Sequence, residues 1–162
     1  MTTKVPFQLL ANGTAGELIT WSAAGAPDVI AAGASGQVLT SNGAGAAPTF
    51  QTAGSTIPQN SQSAAYTLVI DDAGKHILHP SADTTARTFT IPANASVAFT
   101  IGTAITFVNQ NAAGVLTIAI TTDTMRLSDA GTTGSRTLVA NGIATALKLT
   151  ATEWLISGTG LT

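Results

Sequence analysis

Apolar side chains recur at every second position in short stretches of the C-terminal two thirds of the chain, separated by polar, turn-forming residues. Arg87-Thr88-Phe89-Thr90-Ile91 alternates cleanly and puts Phe89 and Ile91 on one face of an extended strand. The same period predicts strands at 66–70, 75–79, 97–101, 104–108 and 115–120. Two more, 144–149 and 153–157, are joined through Thr150-Ala151-Thr152 as a tight hairpin. Asp71-Asp72-Ala73-Gly74 reads as a turn before Lys75, and no stretch carries a helical period. Short strands at near-regular spacing predict an all-β chain. Its region 59–162 is expected to be an antiparallel β-sandwich or jelly-roll-like domain.

Residues 1–58 have a different texture, rich in Gly, Ala, Ser and Thr, with a degenerate repeat at 13–30 and 33–50. Gly13-Thr14-Ala15-Gly16-Glu17-Leu18-Ile19-Thr20 aligns with Gly33-Ala34-Ser35-Gly36-Gln37-Val38-Leu39-Thr40. Each copy reads as a Gly-x-x-Gly turn, a short strand, a small-residue turn, then Pro27 or Pro48 with an extended segment after it. A unit this short buries little alone and needs neighbours. The region is therefore expected to be an extended arm that gains its burial from other chains.

Composition sharpens this picture. Charged residues are 9% of the chain, hydrophobic residues 44%, and the net charge is −2. Typical soluble domains carry roughly 25% charged residues. A surface so poor in charge, kept wet by hydroxyls and amides, suits burial in an oligomer. The six basic residues are scattered and outnumbered by eight acids, which argues against a nucleic-acid partner. The chain has no cysteine, so neither disulfides nor thiolate metal sites are available. The first seven residues lack the apolar core of a signal peptide. The uncharged run 88–122 is interrupted by Pro92, Asn94, Asn109, Gln110 and Asn111 at turn-like spacings, so no membrane insertion is expected.

Candidate chemistry is sparse. His76 and His79 lie three apart in a strand and so point to opposite faces, unsuited to sharing a metal. The two glutamates, Glu17 and Glu153, sit in different regions, and the aspartates lie mostly in turn contexts, which disfavours a carboxylate pair for glycoside cleavage. No Gly-x-Ser-x-Gly elbow occurs. No catalytic residue, metal ligand or cofactor is expected, and the chain reads as non-enzymatic. Trp154, on the last strand, is expected in the core. Phe7, Trp21 and Phe50, in a glycine- and alanine-rich setting, are the candidate anchoring and trimer contacts.

The block Thr88-Phe89-Thr90-Ile91-Pro92-Ala93-Asn94-Ala95-Ser96-Val97-Ala98-Phe99-Thr100-Ile101-Gly102-Thr103-Ala104-Ile105-Thr106 resembles a domain of phage tail fibres and head-surface proteins, with its "TIP", "N-S-V-A-F" and "G-T-x-I" segments. Asp71–Lys75, Gly114–Ile118 and Glu153–Gly158 are similar to the same domain, so the resemblance spans about 66–158. The N-terminal repeat is similar to "G-x-x-G-x-V-L-T-S-N-G-x-G-x-x-P" units of such proteins, and Trp21-Ser22-Ala23 departs from that pattern. The resemblance implies a homotrimer on a virion. For so short a chain it implies a capsid decoration (cement) or head-fibre protein on the outer capsid surface, made in the host cytoplasm. Its partners would be itself, the major capsid protein and host-surface glycans. The alternative is a short tail-fibre or fibre-tip component for host attachment.

Overall fold

The computed structural model describes residues 13–54, 56–110 and 112–162, which fall into two compact units on either side of residue 55. Candidate anchor Phe7 is outside the described residues.

The first unit is two β-hairpins with one design. Strands β1 (Leu18–Trp21) and β2 (Pro27–Ile30) pair antiparallel, as do β3 (Gln37–Thr40) and β4 (Thr49–Thr52). The repeat is visible atom by atom. Glu17 Oε2 accepts the Thr14 N–H at 2.9 Å, and Gln37 Oε1 accepts the Ala34 N–H at 2.8 Å. Gly16 and Gly36 precede these residues with φ of 91° and 84°, the left-handed position that a glycine fills without strain. Ser22 Oγ accepts the Ala26 N–H across the first hairpin loop, and Asn42 Nδ2 donates to the Ala47 carbonyl across the second. The longer amide side chain spans the longer loop, 41–48 against 22–26.

The second unit is one open, curled sheet. Strands β5 (Gln59–Ser61), β7 (His76–His79) and β9 (Ala104–Asn109) form one parallel ladder. Strands β6 (Tyr66–Thr67), β8 (Arg87–Ile91) and β10 (Leu116–Ile120) form a second. The chain alternates between the ladders, so it makes three laps of a short coil. Strand β12 (Arg136–Lys148) then runs antiparallel across both, its first residues on β10 and its last on β9. Strand β13 (Glu153–Leu161) returns along its other edge, with β11 (Thr124–Leu127) parallel beyond it. The ladders face one another through the core: the His79 and Phe89 rings meet edge-on at 6.1 Å, and Asn60 on β5 donates to Tyr66 Oη on β6 at 3.1 Å. Phe89, Phe107, Ile118, Ala146 and Trp154 are among the buried residues between them.

The all-β expectation holds, but the antiparallel sandwich is replaced by a single mixed sheet. Alternation has the same period in parallel and antiparallel strands, and the long connections between Gln59 and His76, and between His76 and Thr106, are the crossovers that parallel pairing needs. Three predicted strands also change. The 66–70 strand stops at Thr67, because the Asp72 carboxylate accepts the Val69 N–H and holds Ile70–Asp72 as a 3₁₀ turn. The 97–101 strand is a loop: both Ser96 and Val97 donate to the Ala93 carbonyl, and Phe99 folds edge-on to Trp154 at 5.6 Å. The 144–149 strand begins much earlier, at Arg136. A bulge at Asn141, with φ of 64°, breaks the alternation that would have revealed it.

Candidate docking face and buried polar clusters

On hairpin β1–β2, Ile19 stands opposite Val29 and Trp21 opposite Pro27, so four apolar residues share one face. They are exposed, Ile19 at 52%, Val29 at 57% and Trp21 at 66%. A groove of about 350 Å³ is lined by Ile19, Pro27 and Val29 of this face, the Gly13-Thr14 turn, Glu17 and Asp28. In the second hairpin Leu39 stands opposite Phe50 at the matching positions. Phe50 is half-buried on its own chain: a side-chain carbon at Gly33 would lie 2.5 Å from the ring. Of the two described candidate anchors, Trp21 is a large, exposed aromatic, while Phe50 is partly engaged within its own unit.

The coiled sheet encloses three polar clusters. In the first, the fully buried Asp72 carboxylate accepts from Tyr66 Oη at 2.8 Å, Asn60 Nδ2 at 2.8 Å and the Val69 N–H. Burial and the neighbouring carboxylate push the Tyr66 phenol above its ordinary pKa. This cluster joins the two free ends of the curl, β5 and β6.

In the second cluster, His79 bridges Asn109 Oδ1 at 2.9 Å and Asp83 Oδ2 at 3.2 Å. Asn109 is oriented by two donations, to the Gly114 and Leu138 carbonyls. Arg87 Nε donates to Asp83 Oδ2 at 2.7 Å, and Arg87 Nη2 to Asp83 Oδ1 at 3.2 Å. The Arg87 guanidinium holds the Asp83 carboxyl well below the usual carboxylate range, with the Thr85 N–H and His79 adding to it, and Asp83 raises Arg87 in turn. His79 is sealed from solvent, so this is a structural tie at the β7, β8 and β9 ends. His76 lies on the opposite face of β7, near Gln59 Oε1 and the Ile57 carbonyl.

In the third cluster, Lys148 ends the inward series Ala144, Ala146, Lys148 on β12 and is 1% exposed. Its Nζ lies 3.0 Å from Asn94 Oδ1 and 5.0 Å from the centre of the Trp154 ring. Burial lowers the amine's pKa, partly opposed by the Asp123 carboxylate. Asp123 Oδ2 also accepts the Asn94 N–H at 3.0 Å.

By sequence alone the aspartates read as turn residues, Asn94 and Asn109 as strand breaks, and 144–149, which carries Lys148, as an ordinary hairpin strand. The available signal was Lys148 falling in step with the inward alanines. Among the described residues, no group of three or more His, Asp and Glu is placed to hold a metal ion. Likewise no helix is long and apolar enough to cross a membrane. Comparison with family models, with curated proteins and with solved structures finds no match.

Proposed function

We propose that the chain is a non-enzymatic structural protein of a phage virion, a homotrimeric decoration of the capsid surface held there by its N-terminal hairpins. The observation that carries this reading is the apolar face of Ile19, Trp21, Pro27 and Val29 on a two-stranded hairpin. A hairpin of two strands is marginal on its own and needs a further surface to pack against. Clustered exposed apolar residues mark such surfaces, and large aromatics dominate their energetics. The scarcity of charge and the resemblance of 66–158 and of the repeats to phage surface proteins support the same reading. In this arrangement the hairpins meet sister subunits and the major capsid protein, and the 59–162 region faces outward, where host-surface glycans are within reach.

Copy number in purified virions, measured by quantitative mass spectrometry against the major capsid protein, tests the proposal. A ratio near one, or a sizeable fraction of it, is expected for a decoration. A ratio of a few per cent overturns it in favour of a tail appendage for host attachment, and absence from the particle overturns both.

A further inference from the structure

We propose that Lys148 and Asn94 join in an intramolecular isopeptide bond, Nζ to Cγ, with Asp123 as the residue that carries the protons. This inference is independent of the docking role. It rests on a juxtaposition that a purely structural lysine does not need: a fully buried amine in contact with a side-chain amide 54 residues away in sequence, beside a carboxylate bound to that amide's own backbone.

The surroundings match the needs of the reaction. An amine attacks a carboxamide only in its neutral form, and desolvation in an apolar pocket is the general way a lysine is made nucleophilic. Lys148 is enclosed by Trp154, which is itself backed by Phe99, and burial shifts its equilibrium towards the neutral amine. Among the described residues, Asn94 Oδ1 is the hydrogen-bond acceptor for this group, which carries three N–H bonds when charged. Asn94 is held in place by its N–H bond to Asp123, so the two reactants are fixed against each other. Such fixing supplies much of the barrier reduction in intramolecular reactions. Cγ is one bond beyond the contacted Oδ1, and a small rotation about the Asn94 Cα–Cβ bond or of the lysine chain closes the remaining distance to Nζ.

The steps balance without any co-reactant. The Asp123 carboxylate acts on the Lys148 amine through its charge and not through a direct ion pair in this structure, so it first closes on the ammonium and then takes a proton from it. The Nζ lone pair attacks Cγ, and the carbonyl electrons move onto Oδ1. Asp123 delivers its proton to Nδ2 and takes a second from Nζ. The oxyanion then collapses, the Cγ–Nδ2 bond breaks and ammonia leaves, carrying away the proton held by Asp123. The net change is ammonium plus carboxamide to secondary amide plus ammonium ion, with no oxidation. The bond ties the loop after β8 to the end of β12 beside β9, and so staples an open curl in a chain that has no cysteine for a disulfide.

The test is the intact mass of the full-length protein, after incubation at neutral and mildly alkaline pH. A mass below the sequence value by one ammonia, about 17 Da, is expected. Proteolysis should then yield one branched peptide containing both Asn94 and Lys148. Lys148→Arg and Asn94→Ala should each restore the full mass. Asp123→Asn should slow the conversion at least tenfold while the far-ultraviolet β signal stays unchanged. A succinimide at an asparagine loses the same mass but persists in Lys148→Arg and gives no branched peptide. That result overturns the proposal, as does a wild-type protein at full mass. If the Lys148 variant fails to fold, the presence or absence of the branched peptide in the wild type decides alone.

Discussion

In hairpin β1–β2 the strand face made by Ile19, Trp21 and Val29 is more than half exposed, whereas in the coiled sheet Phe89, Phe107 and Trp154 are fully buried. Both regions are built from short alternating strands, so the difference is not one of local pattern. It lies in who supplies the covering surface. The second unit winds back on itself, and each ladder is the other's lid. The hairpins pair only with themselves, two strands at a time, and leave a face free. The same contrast holds for polar groups. The second unit buries Asp72, His79, Asp83, Asn109 and Lys148 in hydrogen-bonded clusters, while no described polar residue of the hairpins is fully buried. One unit completes its own core, and the first hairpin of the other leaves the face of Ile19, Trp21 and Val29 exposed.

The largest effect expected from that contrast is in stability. Phe89→Ala removes a ring at the meeting point of the two ladders, against Tyr66 and His79. It should destabilise the second unit by about 3–5 kcal/mol. Leu39→Ala, at a residue 48% exposed in the second hairpin, should cost the isolated protein no more than about 0.5 kcal/mol. Urea unfolding followed by the fluorescence of buried Trp154 measures the first, and hydrogen exchange of the hairpin amides the second. Equal losses from the two substitutions would break the comparison.

Next is Trp21→Ala, which separates docking from folding. On the proposed role it should weaken retention on particles by about 2 kcal/mol or more, roughly thirtyfold in affinity. The unfolding midpoint of the second unit should not move, because Trp21 lies in the first unit and the buried core of the second is built from its own residues. Particle-binding assays with the purified variant check this. Unchanged retention would remove Trp21 from the anchoring role.

How much of this was legible beforehand follows from which contacts are local. The strand of Arg87–Ile91, the turn before Lys75 and the hairpin at Thr150–Thr152 were readable because neighbours in sequence decide them. The two repeats were readable for the same reason. Ladder direction was not, since Gln59 finds His76, and His76 finds Thr106, only after the chain has coiled. Nor were the clusters: His79 meets Asn109, and Lys148 meets Asn94, across distances that leave no spacing signature. Trp21 stood out because it is large in a region of small residues. Phe50 stood out equally, and it took the geometry at Gly33 to distinguish them.

The Asp83 cluster also gives the second unit a pH dependence. Asp83 is depressed in the fold, chiefly by Arg87, so its contribution is fully present above the ordinary carboxylate value of about 4. It is lost as pH falls from there through the folded value. Urea midpoints of the second unit should therefore decline on acidification below about pH 4. Asp83→Asn should lower the midpoint at neutral pH and flatten that acid limb. An acid limb of unchanged slope in the variant would show that other carboxylates govern it.

The smallest effect tests whether the two hairpins are one design. Glu17 and Gln37 use the same side-chain oxygen position to accept the N–H that opens each turn, although one is charged and the other neutral. If the acceptor is what matters, Glu17→Gln should leave protection of the Thr14 amide nearly unchanged, within about 0.5 kcal/mol, for a substitution at an exposed turn. Glu17→Ala and Gln37→Ala should each release their own amide, of Thr14 and Ala34, by about 1 kcal/mol, the ordinary worth of such a bond. Amide exchange measured by NMR reads both sites in one experiment. A loss on Glu17→Gln as large as on Glu17→Ala would mean that the charge of Glu17, not the repeated hydrogen bond, holds the first turn. The equivalence of the two copies would then stop at the backbone, where Gly16 and Gly36 still share their left-handed conformation.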